Sequence, residues 1–179
     1  MVNVYLLPHP TSPEPAVTSL SVTVERTTAA HLQLDYRLEG ELDALRIEEF
    51  TALRRADRLW EHTCFELFAK PTGGEGYFEF NFSPSFQWAA YAFDGYRSGM
   101  RELSAEDPEI AVTPEPPHFF LAVEAMPLLP PVAMQIGLSA VIEETDGTKS
   151  YWAPRHPPGK PDFHHPDCFA LELPAPERT

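Results

Sequence analysis

Apolar and polar residues alternate along much of the chain. Leu20, Val22 and Val24 form one set of alternate apolar positions, and Leu32, Leu34, Tyr36 and Leu38 form the next. Successive side chains of a strand point to opposite faces, so each set predicts a half-buried strand. The alternation continues through Phe65 and Leu67, then Phe78, Phe80 and Phe82, then Phe119, Leu121 and Val123, then Leu138, Ala140 and Ile142, and closes at Phe169, Leu171 and Leu173. Eight or so short strands separated by loops predict an all-β fold, an antiparallel β-sandwich with jelly-roll or immunoglobulin-like layering. The one helical candidate is short, about Glu48 to Asp57, where Phe50 and Leu53, joined by Arg54, share a helical face.

Proline sharpens this picture. The 20 prolines gather at Pro8 to Pro15, Pro108 to Pro117, Pro127 to Pro131, Pro154 to Pro166 and Pro174 to Pro176. Proline fixes φ and removes a ladder donor, so these clusters read as interruptions and argue against long helices. No repeat of fixed period appears, and a single domain over residues 1–179 is expected, with residues 1–14 and 174–179 loosely held.

Composition narrows the partners. Hydrophobic residues make up 43% of the 179 positions, enough for one real core. Lys plus Arg number 13 against 27 Asp plus Glu, a formal charge of -14. Such a surface repels phosphate backbones and anionic headgroups, and no run of about 18 apolar residues is present, so neither nucleic acid nor membrane is expected as a partner. Met1 to Pro15 lacks a cationic start followed by an apolar core, so no secretory signal is expected and the cytoplasm is the expected location. Cys64 and Cys168 lie in apolar, strand-like surroundings and are expected as buried free thiols.

Three segments concentrate the residue types that carry chemistry: Leu59-Trp60-Glu61-His62-Thr63-Cys64-Phe65-Glu66, Tyr77-Phe78-Glu79-Phe80-Asn81-Phe82-Ser83-Pro84, and Ser150-Tyr151-Trp152 through His165. In the second, Phe78, Phe80 and Phe82 share one face, while Tyr77, Glu79, Asn81 and Ser83 share the other. An acceptor beside an amide suits the hydroxyl groups of a sugar, although a solvated outer face shows the same alternation. Trp88 and Tyr91 follow, and an indole or phenol ring offers an apolar plate to a sugar as readily as it fills a core. In the third segment His156, Asp162, His164 and His165 sit in a proline-stiffened loop. These are metal-ligand types, but no HExxH pattern or paired-cysteine site accompanies them, so no metal is expected. Nucleophile elbow, phosphate loop and dinucleotide fingerprint are all missing. Glu66 and Glu79 are a carboxyl pair of the kind used in glycoside hydrolysis.

The stretches LWEHTCFELF, YFEFNFSPS with QWAAYAFDGYRSGM, and GLSAVIEETDGTKSYW with HPPGKPDFHH resemble a family of uncharacterised bacterial proteins with a DOMON-like domain, related to the family 9 carbohydrate-binding modules. The resemblance covers most of residues 15–173. It implies an antiparallel β-sandwich whose relatives bind sugars in one branch and haem in another, with some members linked to the reductase of UDP-N-acetylenolpyruvoylglucosamine. It also implies that the segment from Trp60 to Glu66 and the strand with Glu79 and Asn81 border the ligand face, with Trp152 and His164 in the matching late loop. Phe86 departs from the pattern, standing where a small residue suits a turn, and Ala153-Pro154-Arg155 inserts a further proline.

The preferred reading is a non-catalytic module for a saccharide or related polar small molecule, with no cofactor. Its expected ligand-binding residues are Trp60, His62, Glu66, Glu79, Asn81, Trp88, Tyr91, Arg97, Trp152, His156, Asp162, His164 and His165. One rival is a metal-assisted or acid-base enzyme that uses the late-loop histidines and Asp162 on a small, cell-wall-sugar type of substrate. A second is a haem module with Met100 and His164 as axial ligands, and a third is a subunit contact built from the aromatics. The oligomeric state stays open.

Overall fold

The computed structural model describes residues 1–28, 30–127 and 129–176. Thirteen strands appear among them: β1 (Val2–Pro8), β2 (Val17–Thr28), β3 (His31–Gly40), β4 (Arg54–Arg55), β5 (Cys64–Pro71), β6 (Tyr77–Phe82), β7 (Gln87–Phe93), β8 (Arg101–Glu102), β9 (Glu109–Glu115), β10 (His118–Ala125), β11 (Met134–Glu143), β12 (Lys149–Ala153) and β13 (Leu171–Leu173). Three single turns of 3-10 helix, at Leu42–Ala44, Leu59–Glu61 and Pro166–Cys168, are the helical content, and no α-helix occurs among the described residues. None is therefore long and apolar enough to cross a membrane.

The alternating sets are strands, as their period requires. They join one hydrogen-bonded path in the order β4-β7-β6-β5-β11-β12-β1-β2-β3-β10-β9, with β13 beside β11 and β8 beside β7. The path curls, and Tyr36 of β3 meets Phe65 of β5 with ring centroids 4.8 Å apart. Pairing is antiparallel except between β4 and β7, where Arg54 and Arg55 run parallel to Gln87 and Trp88. The expectation of a purely antiparallel sheet is corrected at that pair.

The helix expected at Glu48 to Asp57 is absent. The backbone N–H groups of Thr51, Arg54 and Ala56 donate to the carbonyls of Ser85, Phe86 and Trp88, so the segment lies along β7 instead of bonding to itself. Its supposed apolar face gains little from coiling, because Phe50 and Leu53 are both exposed. Phe86, marked in the sequence as ill-suited to its turn, has φ 66° and packs on Phe50 at 5.4 Å between centroids.

The amino-terminal residues are held more firmly than expected. Val2 to Leu6 pair with β2, and Leu7 and Pro8 pair with Ala153 and Trp152 of β12, so β1 joins the two halves of the path. Proline also proved compatible with a strand. Pro114 lies in β9, the last strand of the path, where a missing donor costs no ladder bond on the outer side.

β5, β6, β7 and β11 are buried on both faces. One face sends Phe65, Leu67, Phe80, Phe82, Ala90, Leu138 and Ile142 into the main core with Leu20, Val22, Leu34, Tyr36 and Leu121. The other carries Cys64, Phe68, Tyr77, Tyr91, Phe93 and Val141 into a second cluster, closed by Leu59 and Phe163 from loops. Strands covered on both sides read as near-continuous apolar runs, which is why Trp88-Ala89-Ala90-Tyr91-Ala92-Phe93 shows no alternation.

Candidate functional site

Register places the polar residues of this second face in two rows. Ser139 of β11 pairs with Glu66 of β5, and Glu66 with Asn81 of β6. In the next row Phe68 pairs with Glu79, and Glu79 with Tyr91 of β7. Glu66 and Glu79 are thus diagonal neighbours, a relation that leaves about 7 to 8 Å between positions in a sheet. Residues Glu66, Glu79, Asn81 and Ser139 are all buried, so the polar face of β6 is not a solvated outer face.

Above them lies a cavity of about 500 Å³. Glu66 and Glu79 contribute its polar floor, Trp60, Phe68, Phe93, Tyr151 and Phe163 its aromatic walls, and Arg97, Met100 and His164 part of its border. The 3-10 turn at Leu59–Glu61 brings Trp60 to the wall, where its ring stands edge-on to Tyr91 at 6.2 Å. The late loop supplies Phe163 and His164.

Short bonds fix the floor and rim. Ser139 Oγ donates to Glu66 Oε2 at 2.8 Å, and Asn81 Nδ2 donates to Glu79 Oε1 at 2.7 Å. Asn81 Oδ1 is buried without a hydrogen-bond partner among the described residues. His164 Nδ1 and the Tyr77 hydroxyl share a 2.7 Å bond, and the same hydroxyl accepts from the Arg97 backbone N–H at 3.3 Å. Arg97 Nη2 donates to Asp162 Oδ1 at 2.7 Å, and the Tyr96 hydroxyl donates to Asp162 Oδ2.

The electrostatics follow from burial. Loss of water, and then the charge of Glu79, lifts the Glu66 carboxyl to about 8, against the Ser139 hydroxyl and Arg97. Burial lifts Glu79 to about 7, opposed by the Asn81 amide and Arg97. Burial, then the Arg97 charge, pushes His164 down to about 4, so its ring is neutral at pH 7. For Asp162 burial acts upward, but the bonds from Tyr96 and Arg97 outweigh it and hold the carboxyl below its ordinary range.

Of the residues singled out in the sequence, Trp60, Glu66, Glu79, Arg97 and His164 line this cavity. Asn81, Tyr91 and Asp162 touch those residues directly. The others lie elsewhere. Trp88 and Trp152 are in the main core, with their indole N–H groups donating to Asp107 Oδ1 and Ser150 Oγ. His156 bonds the Leu7 carbonyl at 2.8 Å and packs on His9, and His165 accepts from the Asp167 N–H at a 3-10 cap. The late-loop histidines therefore do not converge.

His62 belongs to a separate cluster. Its Nδ1 is 2.7 Å from Glu143 Oε2 and 3.6 Å from Glu48 Oε1, and Arg46 pairs with both glutamates. Potential ligand atoms of Glu48, His62 and Glu143 lie within 4.8 Å of one another, so these are the side chains among the described residues able to hold a metal. Met100 and His164, the residues named for a haem, both border the cavity; Nδ1 of His164 shares a bond with Tyr77, and its Nε2 lies 3.7 Å from Glu79 Oε2.

Sequence reading missed Ser139 and the walls Phe68, Phe93, Tyr151 and Phe163. For Phe68 and Phe93 the signal was the apolar stretches Leu67 to Ala69 of β5 and Trp88 to Phe93 of β7, which say that both faces are covered.

Neither protein-family models nor curated proteins match this chain. Among solved structures, a putative carbohydrate-binding protein from Bacteroides uniformis is similar, with a TM-score of 0.61 and 17% identity, over 87% of this chain and 78% of that one. At this identity the likeness is one of fold alone, and it does not single out DOMON domains or family 9 modules.

Proposed function

We propose that residues 1–179 form one binding module of sandwich type, of the DOMON-like and family 9 kind, that holds a saccharide or related polyol and carries out no chemistry of its own. The observation that supports this most is the composition of the cavity: aromatic walls over a floor of buried carboxyl groups, one of them held by the Asn81 amide. Aromatic plates take the C–H faces of a sugar ring, and the floor offers partners to its hydroxyls. The binding residues of this reading are Trp60, Glu66, Glu79, Asn81, Arg97, Asp162 and His164. The similar fold of the Bacteroides uniformis protein agrees with it. The two buried free thiols support a reducing compartment, the cytoplasm.

Titration with simple sugars, followed by tryptophan emission, tests the reading. Saturable quenching is expected, and Trp60→Phe should remove most of it, because Trp88 and Trp152 are in the core. Glu79→Ala should weaken binding by about 1 to 3 kcal/mol, the cost of leaving a hydroxyl without its partner. Melting curves of each variant separate lost binding from lost fold. A response that persists in Trp60→Phe, or no response to any sugar, would overturn the assignment.

The raised carboxyl pair favours one second reading, acid-base cleavage of a glycoside by Glu66 and Glu79. Release of nitrophenol from aryl glycosides, abolished by Glu66→Gln, would decide for it.

A further inference from the structure

The cavity floor is rich in acceptors and poor in cations. Glu66 and Glu79 are buried diagonal neighbours on the lining, and Asn81, fully buried behind it, donates one amide N–H to Glu79. Arg97 is the cation of the lining, and it is tied to Asp162 at 2.7 Å, with its side chain half exposed. Glu61, also on the lining, is paired outward with Arg58. Neutral hydroxyls would each bring one proton to this floor, whereas an ammonium brings three N–H donors and a positive charge.

We propose that the cavity recognises a ligand bearing a protonated amine beside its hydroxyl groups, with the ammonium seated between Glu66 and Glu79. This rests on the saccharide-binding reading and narrows it to amino-bearing sugars or polyols. The walls agree with the charge: Trp60, Phe68 and Phe93 present aromatic surfaces, which attract an organic cation over their faces. They do not suit calcium or magnesium, which take six or more oxygen ligands where these walls offer aromatic carbon. Burial and mutual repulsion disfavour two carboxylates here, and a bound cation offsets both costs. The formal charge of -14 draws cations toward the molecule as a whole.

The test compares D-glucosamine, D-glucose and N-acetyl-D-glucosamine by calorimetric titration of the full chain at pH 7. Glucosamine should bind at least ten-fold more tightly than either neutral sugar, and Glu79→Gln should bring the three affinities together, with Glu66→Gln as the second variant if the first fails to fold. Equal or weaker binding of glucosamine beside measurable binding of glucose would overturn this inference and leave the saccharide reading standing. Binding of none of the three would remove both. A thermal shift with calcium chloride but with no sugar would replace the ammonium by a metal and overturn the proposal.

Discussion

Replacing Glu66 by Gln should stabilise the protein at neutral and alkaline pH. The side chain is 2% exposed, and burial with the Glu79 charge holds its carboxyl at about 8 against an ordinary 4.5. A raised carboxyl pKa means that the folded chain binds the proton more tightly than the unfolded chain does. Its contribution is therefore complete below about pH 4.5 and is lost progressively as pH rises toward 8. At about 1.4 kcal/mol per pH unit, that gap sets a ceiling on the order of 5 kcal/mol. Because Glu79 titrates in the same range, about 2 to 3 kcal/mol is the expected change between pH 5.5 and 8. Glutamine keeps an oxygen for Ser139 and has no proton to lose. His164, whose lowered pKa removes stability as pH falls from 6.5 toward 4, acts in the opposite sense and is common to both proteins. Urea unfolding of wild type and Glu66→Gln at pH 5.5, 7 and 8 isolates the effect. The advantage of the variant should grow with pH, equivalent to several degrees in Tm for a chain of this size. A constant difference at all three values would refute the assignment of a buried, proton-binding Glu66.

Two further outcomes follow from the same packing. Burial raises the Cys64 thiol well above its ordinary value and Cys168 to about 12, so native protein should react slowly with a thiol reagent and unfolded, unreduced protein should titrate two thiols; a count of zero would show a disulfide. Gly137→Ala should destabilise the fold by about 1 to 3 kcal/mol, because the new Cβ would stand 2.9 Å from the Cys168 carbonyl oxygen where β11 meets the late loop; an unchanged urea midpoint would show that the loop yields freely.

The all-β character, β2, β3, β10 and the core face of β6 were legible in the sequence, because a period of two is a local consequence of strand geometry. So were the buried thiols, from the apolar residues that flank them. What lies over each face is not local. β6 would show the same Phe-Glu-Phe-Asn-Phe alternation whether Glu79 and Asn81 met water or a loop, and it is the turn carrying Trp60 and the loop carrying Phe163 that turn this face into the floor of a cavity. The same distant contacts sort the histidines, sending His164 to Tyr77, His156 to Leu7 and His62 to Glu143 from segments that look equally chemical. They also decide that Glu48 to Asp57 runs along β7 and that Val2 to Pro8 is a strand. Residue pattern determined which side chains face together within a strand; only long-range pairing and loop closure determined which of those faces are wet, which are core, and which enclose a site.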